Sequence, residues 1–452
     1  MLVPASVLSV TLLLQEPTAE SVPTLEHVRV IPTAAPGAEI VSVQASTARA
    51  VLTHSQTGQV ELFDLADPAA PRSVRVFDLA LEKGEEITSV ALPPSGEWFL
   101  VAVKAGPQLA PGRALAHSLA DGKRLATFPC GVSPDCVTIA PSGTRALIAN
   151  EAEGFDSVAN GFVSAPGGLT LIHVAAELAR SKVSQFVFDL AASGSTGGRT
   201  IERNVDDETR DIELQSTPEF LEPEVVTFLP GETRALVTLQ ECNLVAYVDL
   251  EAGKLERYLW LGTTKHAADL VADERYDERD TLLGRREPDG LALTSDGRCF
   301  VTADEGDTGP SAEKTPPGKP VGGGRTLSVF DLQTGEFLGD TGAELDRLAA
   351  RAGLYPDKRS HKRGSEPEMV LTFERGGRSY AAVTLERAGA LALVDLSDPR
   401  RPTVLAVAPS GADHLKDEPE GLALFGDPQG GHDYFYVANE GTGTMGVLRV
   451  PR

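Results

Sequence analysis

Basic residues, cysteines and aromatic side chains are all scarce in this sequence. Lys and Arg number 41 against 65 Asp and Glu, a formal net charge of −24. Such a surface repels nucleic acids and anionic membranes and draws cations or basic partners, which excludes a nucleic-acid-binding role. Four cysteines in 452 residues are too few for a disulfide scaffold. No Cys-x-x-Cys or His-x-x-x-His spacing marks a zinc site, and there is neither a Gly-x-Ser-x-Gly elbow nor a phosphate-binding loop. Long apolar runs are also missing. The one candidate, Val3 to Leu14, has the length of a signal-peptide core, is too short to span a bilayer and has no Lys or Arg before it. It reads as a signal peptide over residues 1–20, with small residues near Pro17 to Ala19 for cleavage; a buried N-terminal strand is the alternative. Residues 25–452 then form one extracellular, periplasmic or cell-surface domain, monomeric and without a transmembrane segment.

What the sequence does contain is a repeat. Five segments open with an acid after proline, run through alternating apolar positions to a Gly-containing turn, and return as a second β-rich run: Pro134-Asp135, Pro223-Glu224, Pro288-Asp289, Pro367-Glu368 and Pro419-Glu420. Two degenerate copies begin at Glu39 and Glu86 without the proline. A third run follows, ending Phe63-Asp64-Leu65, Val248-Asp249-Leu250, Phe330-Asp331-Leu332 or Val394-Asp395-Leu396, and turn residues then lead into a fourth. Four short antiparallel strands repeated seven times predict an all-β, seven-bladed β-propeller. The last unit has three strands, so the stretch from His27 to Ile31 is expected to supply the fourth and close the ring.

In such a blade the first strand (a) and the second (b) are antiparallel, so the start of a and the end of b share one face, here called the top. Seven acids open strand a: Glu39, Glu86, Asp135, Glu224, Asp289, Glu368 and Glu420. Five end strand b: Glu151, Glu241, Glu305, Glu386 and Glu440, with Ser55 and Ala105 near the corresponding places in blades 1 and 2. A recurring arginine (Arg49, Arg145, Arg234, Arg298, Arg378) falls on the opposite face, where it cannot neutralise them. Crowded carboxylates must be protonated, hydrogen-bonded or paired with a cation. Hard oxygen ligands favour Ca2+, then Mg2+; the candidate metal residues are Glu151, Glu241, Asp289, Glu305, Glu368, Glu386, Glu420 and Glu440. The competing reading is that the acids only brace the blades. Strand-a acids, placed beside free strand-start amides, are expected to cap backbone N–H groups, leaving the strand-b acids to face a ligand.

Long insertions over residues 152–168, 191–221, 263–286, 306–324 and 343–365 all map to the top. The last contains a short helical pattern whose Leu345, Leu348 and Ala349 can pack on the ring. His266, His361 and His414 lie in top loops, as acid–base candidates or solvated side chains. Cys130, Cys136 and Cys242 fall near the top of neighbouring blades, which allows one disulfide of unspecified pairing, while Cys299 lies near the bottom.

The succession Glu-Pro-Glu, Leu-Gln-Glu-Cys-Asn, Glu-Pro-Asp-Gly-Leu-Ala, Ala-Asp-Glu-Gly-Asp, Glu-Pro-Glu, Leu-Glu-Arg-Ala-Gly, Glu-Pro-Glu-Gly-Leu and Ala-Asn-Glu-Gly-Thr-Gly resembles the choice-of-anchor I propeller family, most closely from Glu222 to Val450. That family includes proteins called mesenchyme-specific cell surface glycoproteins or alkaline phosphatase-like. The resemblance implies a secreted or surface-attached propeller and no settled activity. Two departures stand out. Asp304-Glu305-Gly306-Asp307 is followed by Thr308 where the family often carries Ala-Arg, and no sorting tail follows Arg452. The expected function is a non-catalytic extracellular binding module with a Ca2+-binding acidic top and no organic cofactor. The alternatives are a Ca2+-dependent phosphoesterase of phytase type and a purely structural surface protein.

Overall fold

The computed structural model describes residues 23–107, 109–156, 161–188, 200–205, 208–213, 221–306, 312, 314–315, 318–427 and 431–451. The expected signal peptide, residues 1–20, lies outside the described residues. Seven four-stranded antiparallel sheets form the blades. Blade 1 is Ala38–Gln44, Arg49–His54, Gln59–Asp64 and Arg72–Asp78; blade 2 is Glu86–Ala91, Trp98–Lys104, Pro111–Ser118 and Arg124–Val132. Blade 3 is Pro134–Ile139, Arg145–Asn150, Gly168–His173 and Lys182–Val187; blade 4 is Pro223–Phe228, Arg234–Leu239, Leu244–Asp249 and Lys254–Trp260. Blade 5 is Leu291–Leu293, Cys299–Asp304, Thr326–Asp331 and Phe337–Asp340, and blade 6 is Pro367–Arg375, Arg378–Leu385, Ala390–Asp395 and Thr403–Pro409. Blade 7 takes Pro419–Gly426, His432–Asn439 and Thr444–Pro451 from the end of the chain and its outermost strand, Glu26–Pro32, from the beginning. Strand Glu26–Pro32 runs antiparallel to Thr444–Pro451, and Arg449 Nε donates to Glu26 Oε2 at 2.7 Å across the seam.

The burial of each strand follows its place in the blade. Strand b is covered on both faces by neighbouring blades, and Cys299–Asp304 is buried throughout. The outer strand Arg72–Asp78 is almost entirely exposed. Between blades the apolar faces interlock; Leu236, Val245 and Tyr247 of blade 4 pack against Leu291, Phe300 and Phe330 of blade 5. The recurring Asp-Leu ending of strand c has a local cause. The aspartate accepts turn N–H groups (Asp64 from Ala66, Asp249 from Glu251 and Ala252, Asp331 from Gln333 and Thr334, Asp395 from Ser397), while Leu65, Leu250 and Leu396 are buried.

The described insertions carry their own structure. A hairpin, Glu153–Asp156 with Gly161–Ser164, sits between strands b and c of blade 3. Thr200–Val205 with Glu208–Glu213 precedes blade 4, and Thr263–Ala268 with Asp280–Arg285 precedes blade 5. Between blades 5 and 6 the expected helix runs over Glu344–Arg351, with Leu345 and Ala349 buried and Leu348 partly buried in the core shared by those blades.

Candidate functional site

Strand a begins with a β-bulge in blades 1, 3, 4, 6 and 7. In blade 3 the register shifts between Pro134, opposite Asn150, and Val137, opposite Ile148; blades 1, 4 and 6 shift at the same place. A bulge re-aims the extra residue. Here it accompanies side chains that line the central channel: Glu39, Asp135, Glu224, Asp289, Glu368 and Glu420 border a cavity of about 520 Å³. The ring therefore has six acids rather than seven. In blade 2 the bulge falls between Ile87 and Ser89, so Thr88 takes the channel position and Glu86 is exposed two residues upstream. Thr88 Oγ1 donates to the Pro134 carbonyl at 2.7 Å.

In blades 1, 4 and 6 the acids do not cap the next strand-start amide. Threonine hydroxyls on strand b take that place: Thr53 Oγ1 accepts from Ile40 N, Thr238 Oγ1 from Val225 N, and Thr384 Oγ1 from Met369 N, each at 2.9 Å. The carboxyl groups are left to the channel, where Glu39 Oε2 and Glu368 Oε2 are buried without a hydrogen-bond partner. Replacing Thr238 by Val should leave the Val225 N–H unsatisfied and cost about 1–3 kcal/mol of stability in denaturant unfolding; an unchanged midpoint would show that another acceptor replaces the hydroxyl.

Burial is the leading cause of the channel's electrostatics, with mutual repulsion second. It pushes Glu39 up to about 8 and Asp135 up to about 7, and it raises Glu224, Glu368 and Glu420 well above the usual carboxylate range. After burial, the largest influences on Glu224 are the acids Glu151, Glu241, Asp135 and Asp289. Glu368 is raised first by burial and then by the charges of Asp289, Glu305 and Glu420.

At the end of strand b, pairing opposite Pro134, Pro367 and Pro419 puts Glu151, Glu386 and Glu440 in equivalent positions. In blade 4 Leu239 pairs with Pro223, so Gln240 holds this position and Glu241 follows it. Blade 2 has Lys104 there, not Ala105, and the ammonium lowers the pKa of Asp135 against the effect of burial. A third acidic series precedes the prolines: Glu222, Glu287, Glu366 and Glu418. The last three have positive φ (48°, 55° and 46°), and their carbonyls accept from Gly306, Glu386 and Glu440 N respectively. This contact pins the end of strand b to the start of strand a. The Glu-Pro-acid spelling was the available signal for this series.

Two groups of three carboxylates bring oxygens within 4.8 Å of one another, and Glu305 belongs to both: Asp289–Glu305–Glu368 and Glu305–Glu366–Glu386. They differ in how their charge is met. Glu366 receives Arg359 through Nε at 2.7 Å and Nη2 at 2.8 Å, and Arg387 reaches Glu386, Glu366 and Glu418 at 2.8, 3.5 and 2.5 Å. Burial still holds Glu386 up at about 7. In the first group Gln240 Nε2 donates to Glu305 Oε2 at 2.7 Å. Glu151, Glu241, Glu420 and Glu440 enter neither group, while burial followed by Glu418 raises Glu440.

Local neutralisation does occur, from arginines that the repeat does not mark. Besides Arg359 and Arg387, Arg285 Nε meets Glu287 at 2.8 Å with both side chains buried. The recurring Arg49 and Arg378 instead bond the strand-c aspartates Asp64 and Asp395, as expected for the opposite face. None of His266, His361 and His414 joins either carboxylate group; His266 Nε2 lies 3.0 Å from the Gly324 carbonyl oxygen. All four cysteines are free, so the disulfide that the sequence allowed among Cys130, Cys136 and Cys242 does not form; burial pushes the Cys130 and Cys136 thiols up to about 12.

Comparison with curated protein sequences returned no match. Among solved structures the chain is similar to Kuenenia stuttgartiensis hydrazine synthase (12% identity, TM-score 0.56, 93% of this chain and 97% of that one). It is also similar to the β-propeller domain of Myceliophteria thermophila Cps50 (Swd1) (11%, 0.53, 94% and 99%) and to a chain of the Mitotic Checkpoint Complex (10%, 0.53, 99% and 100%). At these identities the likeness concerns the fold alone. The model of the choice-of-anchor I domain matches residues 39–319 and 320–399. With that match spanning most of the ring, and with the repeated acids gathered at one channel mouth, the chain belongs to the choice-of-anchor I family.

Proposed function

We propose that this chain is a secreted or surface-attached binding propeller that holds Ca2+ at its channel mouth, between blades 5 and 6, and presents the occupied face to an extracellular partner. Family membership supports the surface-associated module, and no helix among the described residues is long and apolar enough to cross a membrane. The observation that carries the cation reading is the Asp289–Glu305–Glu368 group, whose oxygens lie within 4.8 Å of one another and whose Glu368 Oε2 is buried and unpartnered. Three carboxylates offer up to six oxygens, and waters can complete the six to eight that Ca2+ prefers. Glu420, Glu386, Glu440, Glu151 and Glu241 supply further negative potential around the ion.

Binding is favoured over phosphoester hydrolysis because the neighbouring Arg359 and Arg387 spend their donors on glutamates instead of facing open space. Calorimetric titration with Ca2+ should show one site that weakens at least about tenfold in Asp289→Asn and Glu305→Gln. Absence of binding at millimolar Ca2+, or variants that bind as the wild type does, would overturn the reading. Phytate and p-nitrophenyl phosphate hydrolysis that requires Ca2+ would instead favour the phosphoesterase.

A further inference from the structure

The recurring arginine at the start of strand b makes an ion pair in four blades: Arg49 with Asp64 at 3.2 Å, Arg145 with Glu251 at 3.4 Å, Arg234 with Glu256 at 2.5 Å and Arg378 with Asp395 at 2.6 Å. Blade 5 breaks the pattern. The Arg298 side chain is 82% exposed, and Asp296 Oδ2 lies as far as 4.0 Å from its Nε. Asp331, which corresponds to Asp64 and Asp395, spends Oδ1 on the N–H groups of Gln333 and Thr334 and on the Thr334 hydroxyl.

A groove opens where the pair is missing. On the bottom face, between blades 4 and 5, a cavity of about 530 Å³ is lined by Arg234, Arg257, Arg298 and Asp331 over an apolar floor that includes Leu229 and Leu332. Arg257 lies 3.9 Å above the Tyr247 ring and donates to the carbonyls of Gln333 and Thr334, so its charge is met by dipoles and a π-face. Tyr247 Oη is fixed on the Leu332 carbonyl at 2.9 Å, which makes the platform rigid. Arg257, met by carbonyls and a ring face, and Arg298, held by Asp296 only at 4.0 Å, thus face one groove in a chain of net charge −24.

The geometry points to a second binding site, independent of the channel mouth: the blade 4–5 groove docks a peptide that places a carboxylate on Arg298 beside an apolar side chain on Leu229 and Leu332. Charge complementarity selects the carboxylate. The strongly acidic body disfavours a long polyanion, so a short acidic-and-apolar segment fits better than a polyglutamate or an acidic polysaccharide.

The test uses the full-length protein and two blocked hexapeptides, one alternating leucine and glutamate and one alternating leucine and glutamine, titrated by calorimetry. The glutamate peptide should bind, its glutamine counterpart at least about tenfold more weakly, and Arg298→Glu should reduce binding by a similar factor while the melting temperature stays unchanged. Raising the salt concentration should weaken only the glutamate peptide. Equal affinity for both peptides, no effect of Arg298→Glu, or no binding at about 1 mM would each overturn the proposal, whatever the outcome of Ca2+ titration at the opposite face.

Discussion

In chelator the protein should be most stable near pH 5 and lose stability steadily up to about pH 8. Glu39 and Asp135 set the window. Their pKa values rise on folding from ordinary values of 4.5 and 3.8 to about 8 and about 7, chiefly through burial and then through neighbouring acids. A carboxyl whose folded pKa is raised keeps its proton in the native state after the unfolded chain has lost it. Its contribution is full below the unfolded pKa and is lost as pH rises through the folded one. Between about pH 4.5 and 7 each such group contributes a slope of up to about 1.4 kcal/mol per pH unit. Below pH 4 the opposite set takes over: Asp64 and Asp331, held below the usual range by turn N–H groups, lose their stabilisation as they protonate. Denaturant midpoints across pH 4–9 in EDTA check this, and a flat profile from pH 5 to 8 would mean that the channel acids are solvated. At pH 8 a cation can replace the missing protons. For a Kd near 10 µM, 1 mM Ca2+ should restore about 2.7 kcal/mol. Identical midpoints with EDTA and Ca2+ would remove the cation while leaving the proton ledger intact.

The blade plan was legible because proline, acid, turn and Asp-Leu recur at fixed places, and each has a local physical cause. Proline presets the chain before the bulge, and aspartate accepts the turn amides. The seventh acid was misread for an equally physical reason. A bulge moves every residue beyond it by one place, and blade 2 has no proline to mark where the bulge lies, so Glu86 stood in the alignment where Thr88 stands in space. The same shift hid Lys104 behind Ala105. The capping expectation failed at Ile40, Val225 and Met369 because the bulge sets each amide directly across from a single strand-b threonine (Thr53, Thr238, Thr384) whose hydroxyl takes it, and sequence spacing does not rank two acceptors for one donor. The arginine neutralisation was unreadable for want of distance: Arg359 sits in an insertion seven residues before Glu366, and only the fold turns it back. Of the eight proposed metal residues, the sequence could name the acids but not sort them, because Glu305 stands at a junction of two groups that the ring geometry creates.

Replacing Arg387 by Met should destabilise the protein more at pH 8 than at pH 5, by about 3–5 kcal/mol at the alkaline end. Arg387 is the hub of the blade 6–7 top: Nη2 meets Glu386, Nη1 meets Glu418 and Nε meets Glu366. Glu386 and Glu366 are buried, so removing the guanidinium leaves charge that water cannot reach. Methionine keeps most of the stem volume, which separates the electrostatic loss from a packing loss. Arg359 still holds Glu366 from the other side, so the unmet charge falls mainly on Glu386, already raised to about 7 by burial with Arg387 opposing the rise. Without that opposing charge the pKa must climb further. Glu386 then stays protonated through the acidic and neutral range, and the variant recovers most of its stability at pH 5. The measurement is the difference in unfolding free energy between wild type and variant at the two pH values. A penalty of the same size at both would assign Arg387 to packing; no penalty at either would show that Glu366, Glu386 and Glu418 reach solvent or another cation. Combining Arg387→Met with Glu386→Gln separates these further, since a neutral amide at 386 should return most of the loss at pH 8 if the buried charge caused it.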